Sequence, residues 1–141
     1  MPMLKEEDRK EVGKQLAELA SPVRLVMFTQ DFECDFCSET RELVEELASL
    51  SDKVDAEIYN FTTDKDEVDE YGIDKIPAIA VVGERDYGVR FYGIPSGYEF
   101  VSLIEAIKVV SGGQSKLSDA SREALAEIDE PIHFQVFVTP T

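Results

Sequence analysis

Phe32-Glu33-Cys34-Asp35-Phe36-Cys37 holds the only two cysteines of the chain, and they are spaced C-x-x-C. A dithiol at that spacing suits redox chemistry, because two intervening residues bring the sulfurs close enough to bond within one helical turn. The apolar run Val23 to Phe28 precedes the pair, as expected of a short buried strand. Behind it Phe36, Thr40, Leu43, Val44, Leu47 and Leu50 recur at helical spacing. Cys34 is thereby expected at a strand-to-helix junction, where unpaired helical N–H groups and the macrodipole favour a thiolate. Cys37, one turn further in, is expected to point with Thr40 and Val44 toward the packed side. The spacing thus predicts an exposed attacking sulfur and a shielded resolving one.

Working outward toward the N-terminus, Val12, Leu16, Leu19 and Ala20 share one face of a segment from about Leu4 to Ala20, an amphipathic helix closed by Ser21-Pro22. On the other side, Val54 to Asn60 is rich in β-formers and reads as a second strand parallel to the first, completing a right-handed βαβ unit. Thr62-Thr63-Asp64 offers N-caps for a short helix ended by Gly72. Ile76-Pro77 opens a strand to Gly83 with the proline at its mouth, where it is tolerated. The turn from Gly83 to Gly88 leads to an antiparallel partner from Val89 to Gly93. Ser96 and Glu99 have the S-x-x-E form of a capping box, and the helix they would open ends at Gly112-Gly113. The order describes an α/β fold with a central mixed sheet flanked by helices.

From Gly112 to Ser118 the chain is a polar linker, and Ser118 is placed to cap a further helix bearing Ala124, Leu125 and Ile128. The apolar stretch Pro131-Ile-His-Phe-Gln-Val-Phe-Val-Thr139 repeats features of Pro22 to Thr29: the opening proline, the β-branched residue after it and the later phenylalanine. It is expected to be the first strand of a second, truncated copy of the unit. Residues 1–113 are thus expected to form one domain, and residues 114–141 a linker helix and the first strand of another.

Composition narrows the function. The 141 residues suffice for one ordinary domain with its own core. Thirty acidic residues stand against 14 basic ones, a formal charge of -16, which argues against nucleic acid or anionic membrane as partners. Neither a signal-peptide run nor the roughly 20 apolar residues of a membrane span is present, so a cytoplasmic location is expected. In a reducing cytosol a close cysteine pair is more often catalytic or metal-binding than a structural staple. A structural zinc site wants four ligands, and His133 is the one histidine.

A strand, a C-x-x-C at a helix start and a later Ile-Pro at the mouth of a hairpin strand resemble the thioredoxin fold. Tyr71 to Ala78, Tyr87 to Phe100 and Ile128 to Thr141 are similar to one branch of it, the glutaredoxin-like protein disulfide oxidoreductases, largely archaeal and thermophilic, built from two tandem thioredoxin folds. The resemblance implies that Cys34 is the nucleophile, Cys37 the resolving thiol and Pro77 a cis-proline facing the pair, with Ile76, Pro77 and Phe32 meeting the substrate. It also implies an enzyme that reduces or isomerises protein disulfides, with no bound cofactor, and that draws on NADPH through a thioredoxin-reductase-like flavoprotein. The alternative is a docking module whose chemistry is done by the second unit. Phe28 stands where thioredoxins proper carry a buried acid, so no carboxylate relay to Cys37 is assigned. Rim positions are open to Phe36 and Tyr71, and an unpaired strand edge from Pro131 to Thr139 would favour homo-oligomers.

Seven acids and one cation, Arg41, lie between Asp31 and Glu46. A helix N-terminus favours a thiolate by about 0.3 to 1 kcal/mol. A carboxylate some 7 Å away in a dielectric of order 40 opposes it by about 1 kcal/mol. Cysteines at such sites span pKa values of roughly 3.5 to 7.5, and this balance places Cys34 toward the upper end and predicts a reductant.

Overall fold

The computed structural model describes residues 2–139. Its elements are α1 (Glu6–Ala17), β1 (Val23–Thr29), α2 (Cys37–Ser49), β2 (Val54–Asn60), α3 (Lys65–Glu70), β3 (Ala78–Val82), β4 (Val89–Tyr92), α4 (Tyr98–Gly112) and α5 (Asp119–Ala126). The strands form one mixed sheet in the order β2-β1-β3-β4. β1 runs parallel to β2 and antiparallel to β3, and β3 pairs antiparallel with β4.

Alternation along β1 assigns its two faces, because successive side chains on a strand point to opposite sides. Val23, Leu25 and Met27 join Ile79 and Val81 in one core. Against them pack Leu43, Val44 and Leu47 of α2, Leu103, Ile107 and Val110 of α4, and Val12 and Leu16 of α1. Val26 and Phe28 face the opposite core with Ala78, Ala80 and Val82, covered by Val68 of α3 and by Ile73. The result is three layers, with the sheet buried between helices on both faces. Full burial of side chains such as Phe28 and Leu16 contributes about 1.5 to 3 kcal/mol each.

The leading helix is pinned to α2 by Glu46. This nearly buried carboxylate accepts from the N–H of Met3 at 2.7 Å and of Leu4 at 3.2 Å, and pairs with Arg9. Ser21 and Ser111 clasp the end of α4 to the entrance of β1 through three hydrogen bonds.

Some local expectations are corrected. The Ser96–Glu99 capping box does not form: Gly97, at φ 60, takes the N-cap position of α4, and no side chain caps it. Asp64 is the N-cap residue of α3, but its carboxylate turns back to accept from the Asn60 N–H at 2.6 Å. Ser118 does cap α5, accepting from the Ser121 N–H at 3.2 Å.

The expected strand from Pro131 to Thr139 is absent. Residues 131–139 take no strand conformation, and Phe134, Val136, Phe137 and Val138 are each at least 80% exposed. Alternating β-formers make a strand only where another edge completes their hydrogen bonds. The Pro140-Thr141 end of the stretch lies outside the described residues.

Candidate active site

β1 ends at Thr29 and delivers the chain into a turn, Gln30 to Phe36, before α2 begins at Cys37. The Gln30 side-chain amide donates to the Phe32 carbonyl and tightens this turn. Glu33 adopts a left-handed backbone at φ 54 immediately before Cys34. The first helical bond runs from the Thr40 N–H to the Phe36 carbonyl at 3.0 Å, doubled by the Thr40 hydroxyl at 2.6 Å. Cys37 is therefore the first residue of the helix, and Cys34 sits in the turn just before it, at the expected strand-to-helix junction.

Cys34 and Cys37 are joined in a disulfide with their Cα atoms 5.6 Å apart. Their exposure differs in the expected sense: Cys37 is 2% exposed, whereas Cys34 is half-buried and open to solvent on one side. A polar cleft of about 240 Å³ is lined by both cysteines together with Thr29, Gln30, Asp31, Ser38 and Arg41. Arg41 and Ser38 were missed as lining residues in the sequence. The spacing Cys37 to Arg41, one helical turn, was the signal that could have found Arg41.

Pairing of Phe28 with Ala78 sets Pro77 at the same end of the sheet as Thr29, where the cysteine turn begins. The Ile76–Pro77 peptide bond is cis, and Pro77 is buried, its carbonyl accepting from the Gly93 N–H at 2.9 Å. Ile76 is half-buried against the α3-side core. Phe32 is 81% exposed and Phe36 is 53% exposed, flanking Cys34 on either side in sequence. Tyr71 instead packs into the molecule, its ring 5.8 Å from Phe28 and under the Arg90 guanidinium. Phe28 is wholly buried, with Tyr59 on its other side at 5.8 Å. Burial pushes the Tyr59 hydroxyl above its ordinary pKa, with Glu57 adding to the shift. His133 lies in the exposed terminal segment. Among the described residues no group of His, Cys, Asp and Glu is placed to hold a metal ion, and no helix is long and apolar enough to cross a membrane.

The family model "Thioredoxin domain" matches residues 26–105, more than half of the chain and both cysteines with it. The chain belongs to the thioredoxin-domain family. This thioredoxin domain is similar in structure to a protein disulfide oxidoreductase from Aeropyrum pernix, with a TM-score of 0.79 and 29% identity over 87% of this chain and 54% of that one. It is similar also to the N-terminal domain of alkylhydroperoxide reductase AhpF from Enterococcus faecalis, with a TM-score of 0.72 and 27% identity over 85% of this chain and 58% of that one. Among curated proteins, an alkyl hydroperoxide reductase of Staphylococcus aureus is 31% identical over 95% of this chain and 24% of its own length. A Bacillus subtilis NADH dehydrogenase is 33% identical over 77% of this chain and 19% of its own length. The chain thus spans about a fifth to a quarter of these curated relatives. A thioredoxin domain carrying a closed Cys34–Cys37 pair is a redox domain, holding two electrons when the bond is open and giving them up when it closes.

Proposed function

We propose that this domain is a dithiol–disulfide oxidoreductase that reduces or isomerises protein disulfides through Cys34 and Cys37. The observation that carries the reading is the asymmetry of the pair, an accessible Cys34 joined to a Cys37 sealed at the start of α2. In the reduced protein the Cys34 thiolate attacks a substrate disulfide, and one substrate thiolate leaves and takes a proton. Cys37 then gives up its proton and attacks the Cys34 sulfur. The second substrate thiol is released as the Cys34–Cys37 bond closes. The substrate gains two electrons and two protons; the protein gives up both electrons and the Cys37 proton, and solvent supplies the other proton, the one Cys34 shed on ionising.

Phe32, Ile76 and Pro77 are the residues proposed to receive the substrate peptide beside Cys34. The end-of-sheet placement of Pro77 and the exposure of Phe32 support this. Recharging of the pair is assigned to a nicotinamide-linked flavoprotein reductase in the cytoplasm. The matched relatives named NADH dehydrogenase and alkyl hydroperoxide reductase support that assignment. Residues 114–141 are read as a linker helix and the opening of a second unit, a reading supported by the exposed apolar side chains after Pro131 and by the greater length of the relatives.

The test is turnover of a disulfide-bonded protein substrate with a chemical dithiol as electron source. Cys34→Ser is expected to lose all turnover, and Cys37→Ser to accumulate a mixed disulfide between Cys34 and the substrate, visible by mass. Turnover surviving in Cys34→Ser would contradict the reading, and partner binding by a wild type that shows no turnover of its own would favour a docking role.

A further inference from the structure

Arg41 takes no part in the exchange, yet it lines the same cleft as Cys34 and Cys37 and is the one cation among its lining residues. It stands one helical turn beyond Cys37 on the same flank of α2, where residues four apart are neighbours. Its Nε donates to Glu45 Oε1 at 2.8 Å, which leaves the remaining guanidinium N–H groups with no partner among the described residues. Both side chains of that pair are about half exposed, so Arg41 holds up no part of the core.

The charges around it are otherwise negative. Asp31, Glu33 and Asp35 in the turn, and Glu42 on α2, have no cationic partner among the described residues, while Glu39 accepts only from the Ser38 hydroxyl. From the neighbouring elements, Asp74 and Lys75 ahead of Pro77 satisfy each other at 3.0 Å. Asp64 is engaged by the Asn60 N–H, and Lys65 lies over the Phe61 ring. Glu46 is turned to Arg9. Negative charge appears on a cysteine sulfur at each step of the exchange, and every uncompensated carboxylate on this rim opposes it.

We propose that Arg41 is a positioning residue for the redox step: its guanidinium, held on the cleft wall by Glu45, stabilises the thiolate that forms at the Cys34–Cys37 pair. The proposal rests on the reading of Cys34 and Cys37 as a redox pair. It adds that a nucleophile set among acids depends on this single cation to ionise. Arg41 touches no reacting atom and acts through the charge on sulfur.

The deciding experiment needs no substrate. The reduced protein is alkylated at Cys34 across pH 5 to 10, with the modified residue identified by mass, in wild type, Arg41→Gln and Arg41→Lys. A unit charge some 6 to 7 Å away at an effective dielectric of about 40 moves a thiol by about one pH unit. Arg41→Gln is therefore expected to shift the midpoint upward and to slow alkylation at pH 6.5 by about 3- to 10-fold, with thermal unfolding unchanged. Arg41→Lys restores most of the rate, and the difference between wild type and Arg41→Gln shrinks in molar salt because the site is half exposed. An unchanged midpoint in Arg41→Gln overturns the proposal, as does equal behaviour of the Gln and Lys variants. A raised KM for disulfide substrate with the alkylation profile unmoved also overturns it, by making Arg41 a substrate contact. Failure of wild type to turn over a disulfide contradicts the proposed function alone, since the alkylation profile still judges Arg41.

Discussion

At the scale of single residues, charge pairing is what the solvent can undo. Asp86 in the β3–β4 turn receives Arg90 on both carboxylate oxygens, with the Nη1 to Oδ1 bond at 2.8 Å, and accepts the Gly88 N–H at 2.9 Å. The hydrogen bonds from Arg90, its largest influence, hold the Asp86 carboxyl below its ordinary value of 3.8. A carboxyl with a depressed pKa in the folded state stabilises the fold above its unfolded pKa, and that stabilisation is lost as pH falls through the folded value. Asp86→Asn is therefore expected to be less stable than wild type by a constant margin between pH 5 and 7. The margin should close as the pH drops below about 4, which urea unfolding at pH 7, 5 and 3 measures directly. A margin that persists unchanged at pH 2 to 3 would show that the ionised pair is not what Asp86 contributes. Residue types told little of this in advance: nothing in the turn Gly83-Glu-Arg-Asp-Tyr-Gly88 says which of its charges will meet Arg90 from the returning strand.

At the scale of elements, the close approach of β3 to α4 makes a demand that no propensity reveals. A Cβ on Gly83 would lie 2.8 Å from Val110 Cγ1 and 2.8 Å from the Val110 carbonyl oxygen. The carbonyl belongs to the helix backbone and cannot step aside cheaply. Gly83→Ala is expected to cost about 1 to 3 kcal/mol, read as a lower urea midpoint. Gly112→Ala, with nothing within 4 Å of its Cβ, serves as the control and is expected to be neutral or slightly stabilising. A neutral Gly83→Ala would mean that the strand and helix can move apart freely.

The elements that the sequence announced are those carried by burial. The run Val23 to Phe28, the helical spacing from Thr40 to Leu47, and the hairpin after Pro77 all reappear because their periodicity is the imprint of a core they share. The failures are of another kind. The helical spacing could not place the first hydrogen bond of α2 at Phe36, although Cys34 does fall at the expected strand-to-helix junction. Ser96 and Glu99 fit a capping pattern, but the positive φ of Gly97 sets a different start for α4. The alternation from Ile132 to Val138 suits a strand, yet a strand is a relation between two segments, and the second is not among the described residues.

At the scale of the whole molecule, the sheet order β2-β1-β3-β4 brings the end of β1 and the start of β3 to one edge of the domain. The turn that carries the cysteines follows β1 at that edge, and Pro77 leads into β3 from it. The chain carries 30 acids against 14 basic residues, and seven of those acids lie between Asp31 and Glu46 beside the cysteines. Such a field disfavours thiolates and so favours the closed disulfide over the open dithiol, which is the character of a reductant. One measurement bears on this most directly: equilibration of the protein across dithiol buffers of known potential, followed by alkylation and counting of free thiols by mass. The account predicts a single cooperative two-thiol transition at or below about -220 mV. A transition near about -120 mV, or a pair that never closes, would contradict it.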